Sequence, residues 1–266
     1  MRRILVYIFF TCTFLSSTLF AEEFSLSDIE KYAVEGMSAA QFLLGLKYKE
    51  GEGVRQDYQQ AKAWFEKAAQ QGYASAQYNL GFMYVKGEGV SQNHQQAKAW
   101  FEEAAQQGHA SAQYNLGVMY YEGAGVAQDY QQAKAWFEEA AQQEHASAQY
   151  NLGLMYAKGQ GIPQNHQQAK AWYEKAAQQG WAAAQHNLGL MYAKGEGVSQ
   201  NYQQAKAWFE KAAQQELASA QYNLGVMYNI GQGVRQNTVT AKEWFGKACD
   251  NGDQNGCDQY AKISQQ

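Results

Sequence analysis

Apolar residues recur along this chain in two helical phrases separated by polar, glycine-bearing turns. In SAQYNLGFMYVKG, Ala76, Leu80, Met83 and Tyr84 fall at i, i+4, i+7 and i+8, the spacing of a helix buried along one side. This predicted helix A ends near Gly87, where GEG gives the backbone freedom for a turn. The predicted helix B follows, with Ala97, Trp100, Phe101 and Ala104 at i, i+3, i+4 and i+7. Just before it stands a column that holds only Asp or Asn: Asp57, Asn93, Asp129, Asn165, Asn201 and Asn237. Such side chains accept hydrogen bonds from the free N–H groups of a helix start, so they are read as N-caps. Gly108 closes helix B, and Glu144 and Glu216 replace the glycine in two copies.

The pair of phrases returns every 36 residues and defines six units: 38–73, 74–109, 110–145, 146–181, 182–217 and 218–253. A fixed period of this length reads as a solenoid of two-helix units, an all-α fold. One unit cannot bury its own apolar face, so stacked neighbours bury it for one another. In this reading the Trp column (Trp64, Trp100, Trp136, Trp172, Trp208 and Trp244) is core together with Phe101, while Ala97, Ala104 and Gly81 let helices approach. Each fully buried large apolar side chain contributes ~1.5–3 kcal/mol. Residues 22–37 contain a lone helix B and residues 254–266 a degenerate helix A, polar caps at the two ends of the array.

The first residues change the picture of where the protein works. Arg2 and Arg3 precede an apolar run that ends at Ala21 and Glu22, so residues 1–21 read as a signal peptide cut after Ala21; the alternative is an uncleaved anchor. Removal lowers the basic count from 21 to 19 against 25 acidic residues, a net charge of about −6, which argues against a nucleic-acid partner. It also removes Cys12 and leaves Cys249 and Cys257, and an even pair in an exported chain suggests a disulfide. The expected location is periplasmic or secreted, with no stable membrane span after cleavage.

AQYNLGFMYVKGEGV followed by AKAWFEEAAQQG resembles the SEL-one-like repeat family, relatives of tetratricopeptide repeats, from about Ser38 to the C-terminus. The resemblance implies a right-handed superhelix of antiparallel helix pairs that acts as an adaptor and binds proteins or peptides on its concave side. Cys249 stands in the Ala69 column and Cys257 in the Gln77 column of the next helix A, so the two would face each other across an αα turn. That spacing is similar to the cysteine-rich secreted branch of the family, where every repeat carries such a bond; here only the last turn does.

Chemistry-bearing motifs are few. GxGV, as at Gly87, Gly89 and Val90, lacks the strand and remaining elements of a phosphate loop and reads as a turn. His94, His109, His145, His166 and His186 show no metal-ligand spacing, and no acyl-transfer nucleophile with its base is found, so no metal, cofactor or catalytic residue is expected. The alternatives to a non-enzymatic scaffold are a cell-wall hydrolase of β-lactamase type and a secreted factor that touches host proteins.

Comparison of the copies with one another points to the helix A face. Three of its columns vary: the one holding Phe82, Val118, Leu154 and Leu190, the one holding Lys49, Val85, Tyr121, Ala157 and Ala193, and the one holding Glu50, Lys86, Glu122, Lys158, Lys194 and Ile230. Beside them run an aromatic column (Tyr78, Tyr114, Tyr150, His186, Tyr222) and an amide column (Asn79, Asn115, Asn151, Asn187, Asn223). Amides can hydrogen-bond an extended peptide backbone, and tyrosine offers amphipathic contact area, so these ladders with Phe82 and Tyr121 are the expected partner-binding residues. The alternative reading is that both ladders only stabilise helix packing.

Overall fold

A computed structural model of the chain describes residues 24–265. Residues 1–21, with the expected signal peptide, Cys12 and the cleavage point, lie outside the described residues. Among the described residues there are fourteen helices and no strands. The A helices are α2 (Ser38–Glu50), α4 (Ala74–Lys86), α6 (Ala110–Glu122), α8 (Ala146–Lys158), α10 (Ala182–Lys194) and α12 (Ala218–Ile230). The B helices are α3 (Tyr58–Gln70), α5 (His94–Gln106), α7 (Tyr130–Gln142), α9 (His166–Gln178), α11 (Tyr202–Ala213) and α13 (Thr238–Asp250). A lone helix stands at each end, α1 (Leu26–Val34) and α14 (Gln254–Ser264). The described chain forms two compact units, one ending at Ala112 and the other beginning at Gln113. Within each, every helix packs on its neighbours in sequence.

The ends of the helices follow from their sequences. Asp57 and Asn93 each accept from two backbone N–H groups of the following turn, and Asn165, Asn201 and Asn237 accept from one. These bonds satisfy donors that a helix start leaves free. Each A helix ends on a left-handed glycine, as at Gly87 with φ +75°. A backbone bond from each N-cap to a Tyr nine residues earlier in helix A, Asn165 N–H to Tyr156 O at 2.9 Å for example, then turns the chain into an antiparallel pair. Glu144 and Glu216 adopt φ +61° and +60° where the other copies carry glycine.

The core differs from the sequence expectation in one respect. Phe65, Phe101, Phe137, Tyr173, Phe209 and Phe245 are at most 2% exposed, whereas the six tryptophans beside them are only half-buried. Adjacent helical residues point about 100° apart, so only one of the pair can face helix A. The Phe column takes that position against the helix A glycine: a Cβ on Gly81 would fall 2.6 Å from the Phe101 ring. Tryptophan instead packs at the edge of a neighbouring cluster, and lysine covers it in four copies, as Lys67 over Trp64 at 3.8 Å and Lys175 over Trp172 at 4.3 Å.

Candidate functional site

The ladders expected from the sequence lie on the A helices, with the aromatic residue of helix B beneath the ring column. In the first unit, Tyr78 stacks on His109 at 4.8 Å and tilts against Phe101 at 5.8 Å and Phe82 at 6.3 Å. Asn79 donates to Ser75 O at 2.8 Å and accepts from Lys49 Nζ at 3.3 Å. Phe82 lies between two ammonium groups, Lys49 at 5.7 Å and Lys86 at 5.6 Å.

In the second unit the two ladders are bonded to each other across repeats. Asn151 donates to the Tyr114 hydroxyl at 3.5 Å, and Asn223 Nδ2 lies 2.9 Å from His186 Nε2. Asn187 stands at the corresponding position of the next repeat. Tyr114 stacks on His145 at 4.8 Å, Tyr150 packs against Tyr173 and Trp181, and His186 and Tyr222 each lie 5.6 Å from the phenylalanine beneath. Asn115 shares the amide column. Tyr121 donates its hydroxyl to Gln160 Oε1 at 2.6 Å.

These contacts set what the face can do chemically. Asn223 uses both amide protons, one on Ser219 O at 2.9 Å and one on His186, so its Oδ1 is what it offers outward. Burial raises the Tyr114 and Tyr150 phenols, and for Tyr114 the bond from Asn151 opposes the rise only in part. Burial likewise lowers His145 and His186 below the ordinary imidazole value, which keeps both neutral at pH 7. The two ladders are therefore uncharged and half-buried, and lie beside variable columns that carry lysine and glutamate.

A second ladder was not singled out from the sequence. Gln41, Gln77, Gln149, Gln185 and Gln221 are 3–5% exposed, and each donates to an alanine carbonyl of the preceding helix B at 3.2–3.3 Å. Each also accepts from an amide 30 residues later, as Gln149 from Gln179 at 2.8 Å. The signal was a polar column as constant as the apolar ones around it. Cys257 occupies this column and Cys249 the alanine column, and the two are joined by a disulfide. The last turn thus carries a covalent bond where the other turns carry the glutamine hydrogen bond. Among the described residues, no group of three or more His, Cys, Asp or Glu is placed to hold a metal, and no helix is long and apolar enough to cross a membrane.

The helix pairs and their period agree with known proteins. The chain is 37% identical to c5321, a protective antigen of uropathogenic Escherichia coli with an SLR fold, over 90% of this chain and 51% of that one, with a TM-score of 0.85. The chain thus spans about half the length of that antigen. It is 35% identical to a Sel1 repeat protein from Oxalobacter formigenes over 80% of this chain and 87% of that one, with a TM-score of 0.75. A comparison with the curated proteins gave no match. Sel1 repeats generally mediate protein–protein interaction and are typically non-enzymatic scaffolds. The Sel1 repeat model matches residues 38–73, 74–109, 110–145, 146–181, 182–217 and 218–253, the period that the glycine–phenylalanine contacts and glutamine ladder repeat, and the chain belongs to the Sel1 repeat family.

Proposed function

We propose that the chain is an exported, non-enzymatic adaptor that binds a protein or peptide partner on the helix A face. The observation that carries this reading is the bonded ladder of the second unit. Tyr114 is bonded to Asn151 and His186 to Asn223 across repeats, and with Tyr150 and Tyr222 they make a row of ring edges and amide groups, while the columns beside them change from copy to copy. A constant row fixes the backbone of a partner and changing neighbours select its side chains. Tyr78, Asn79 and Phe82 form the corresponding face of the first unit, and Asn115, Tyr121, Tyr222 and Asn223 belong to that of the second. Export is supported by the disulfide, since such bonds persist in oxidising compartments, and by the likeness to an antigen. The organisation that goes with it is a signal peptide over 1–21, a capping helix within 22–37, six repeats over 38–253 and a second cap over 254–266.

The face is tested with a photo-crosslinking residue placed at exposed positions of the second unit, in the cell that makes the protein. Lys158 and Lys194 lie on helix A, Lys175 and Lys211 on helix B. The expected result is a defined product from the helix A positions alone. Products from the helix B positions, or from neither pair, would move the function elsewhere.

A further inference from the structure

The turn that joins α12 to α13 forms one wall of a cleft in the second unit. The cleft measures about 640 Å³ and is lined by Gln203 and Lys206 of α11, Tyr228 of α12 and the turn residues 233–237. Its floor is held by bonds within the chain. Gln203 donates to Gly233 O at 2.6 Å, Gln236 donates to Asn229 O at 2.7 Å, and Asn237 N–H donates to Tyr228 O at 2.8 Å. Gly233 lies so close to α11 that a Cβ there would collide with Tyr202. The glutamine amides of the lining are thus engaged by the chain itself. Arg235 is exposed and makes no ion pair among the described residues. Lys206 gives one ammonium proton to Glu210 Oε1 at 2.6 Å, Glu210 lies outside the lining, and an ammonium has two further protons to give.

The first unit holds a matched cleft that differs in charge. It measures about 660 Å³ and is lined by Tyr48, Val54, Arg55, Gln56 and Asp57, the residues five repeats before Tyr228, Val234, Arg235, Gln236 and Asn237. Asp57 brings a carboxylate to that lining, and Leu26 stands in the Lys206 column. One cleft therefore carries a positive and a negative group, and the other carries two positive groups. The four copies between them have Ser91, Ala127, Pro163 and Ser199 in place of the arginine.

The volume of the Arg235 cleft suits a small molecule, and two cations on a polar wall favour one with negative charge. A guanidinium grips two oxygens of a carboxylate or phosphate at once. A floor already fixed by the chain lowers the ordering cost of binding. We infer that the Arg235 cleft binds a small molecule bearing a phosphate or carboxylate group, with Arg235 holding the oxyanion through its paired N–H groups and Lys206 neutralising it from α11. The site uses none of the ladder residues, so it stands or falls separately from the helix A face.

The test is a titration of the full chain, isotope-labelled for NMR, with sodium phosphate and with sodium succinate at constant ionic strength set by sodium chloride. The backbone amides of Val234, Arg235 and Gln236 report binding. Saturable shifts are expected with phosphate, succinate or both; phosphate alone assigns a phosphate-bearing ligand, succinate alone a carboxylate-bearing one, and both together the oxyanion common to the two. Arg235→Gln and Lys206→Gln should each weaken binding at least about tenfold with an unchanged melting curve, whereas Arg55→Gln should leave it as it was. Shifts that rise in proportion to concentration with both anions, equal saturation at Val54 and Gln56, or undiminished affinity in either folded variant would overturn the site.

Discussion

A Cβ added to Gly117 would lie 2.5 Å from two carbons of the Phe137 ring. Helix A and helix B of this repeat can meet as they do only because residue 117 has no side chain, and the relation recurs between Gly153 and Tyr173 and between Gly189 and Phe209. Gly117→Ala should therefore destabilise the protein by roughly 1–3 kcal/mol, the usual cost of overpacking, even though alanine is the better helix former. Thermal melting checks it; an unchanged or raised midpoint would show that the ring moves aside freely.

The same geometry ranks the two aromatic columns. Phe137 is 1% exposed, while Trp136 is half-buried. Phe137→Ala should cost about 3–5 kcal/mol, and Trp136→Ala distinctly less despite removing the larger side chain. Urea titration of the two variants side by side decides, and an equal or greater loss for Trp136→Ala would return the tryptophans to the core.

Glu144 and Glu216 close their B helices in a conformation that glycine adopts without strain. A left-handed residue with a Cβ costs roughly 1–2 kcal/mol. Glu144→Gly with Glu216→Gly should raise the melting midpoint, and a fall would mean that the glutamates make compensating contacts.

The disulfide joins Cys249 to Cys257 across eight residues. A loop of this length is worth about 2–3 kcal/mol in the chain-entropy model. Its reduction should raise hydrogen exchange in α14 while the helices α6 to α10 keep their protection. Cys249→Ala with Cys257→Gln restores the pair found in the other repeats, so under reducing conditions it should protect α14 better than Cys249→Ala with Cys257→Ser. Equal protection in those two variants would deny the glutamine ladder a role in holding successive helices.

Acid should weaken the second unit. His145 accepts from Ala148 N–H at 3.4 Å, and His186 is bonded to Asn223, both as neutral rings lowered below 6.5 by burial. The unfolded chain takes up protons first, so stability is complete above about pH 6.5 and falls as pH drops toward the folded-state values. His145→Tyr with His186→Tyr, residues that other copies carry in these columns, should flatten the melting midpoint between pH 7.5 and 5. A profile unchanged by the pair of substitutions would place the acid sensitivity elsewhere.

Much of the fold was legible because its determinants are local and repeated six times. The spacing of Ala76, Leu80 and Met83, the Asp or Asn before each B helix, and the glycines after each helix act within one or two turns of chain. The candidate face was legible only as columns. That Asn223 reaches His186 and Asn151 reaches Tyr114 depends on residues 37 apart, a separation at which spacing gives no orientation.

The sequence by itself determined that the chain is an array of helix pairs with a 36-residue period, where each helix begins and ends, and which columns vary. Tertiary structure alone decided that phenylalanine rather than tryptophan enters the core, that a buried glutamine ladder links successive helix pairs, and that the Tyr121 hydroxyl reaches Gln160. The reason is geometric. Periodicity fixes which side of its own helix a residue lies on, but which of two adjacent bulky residues meets the glycine of the facing helix is set by the closeness and angle of packing between helices, and these exist only once the repeats are stacked.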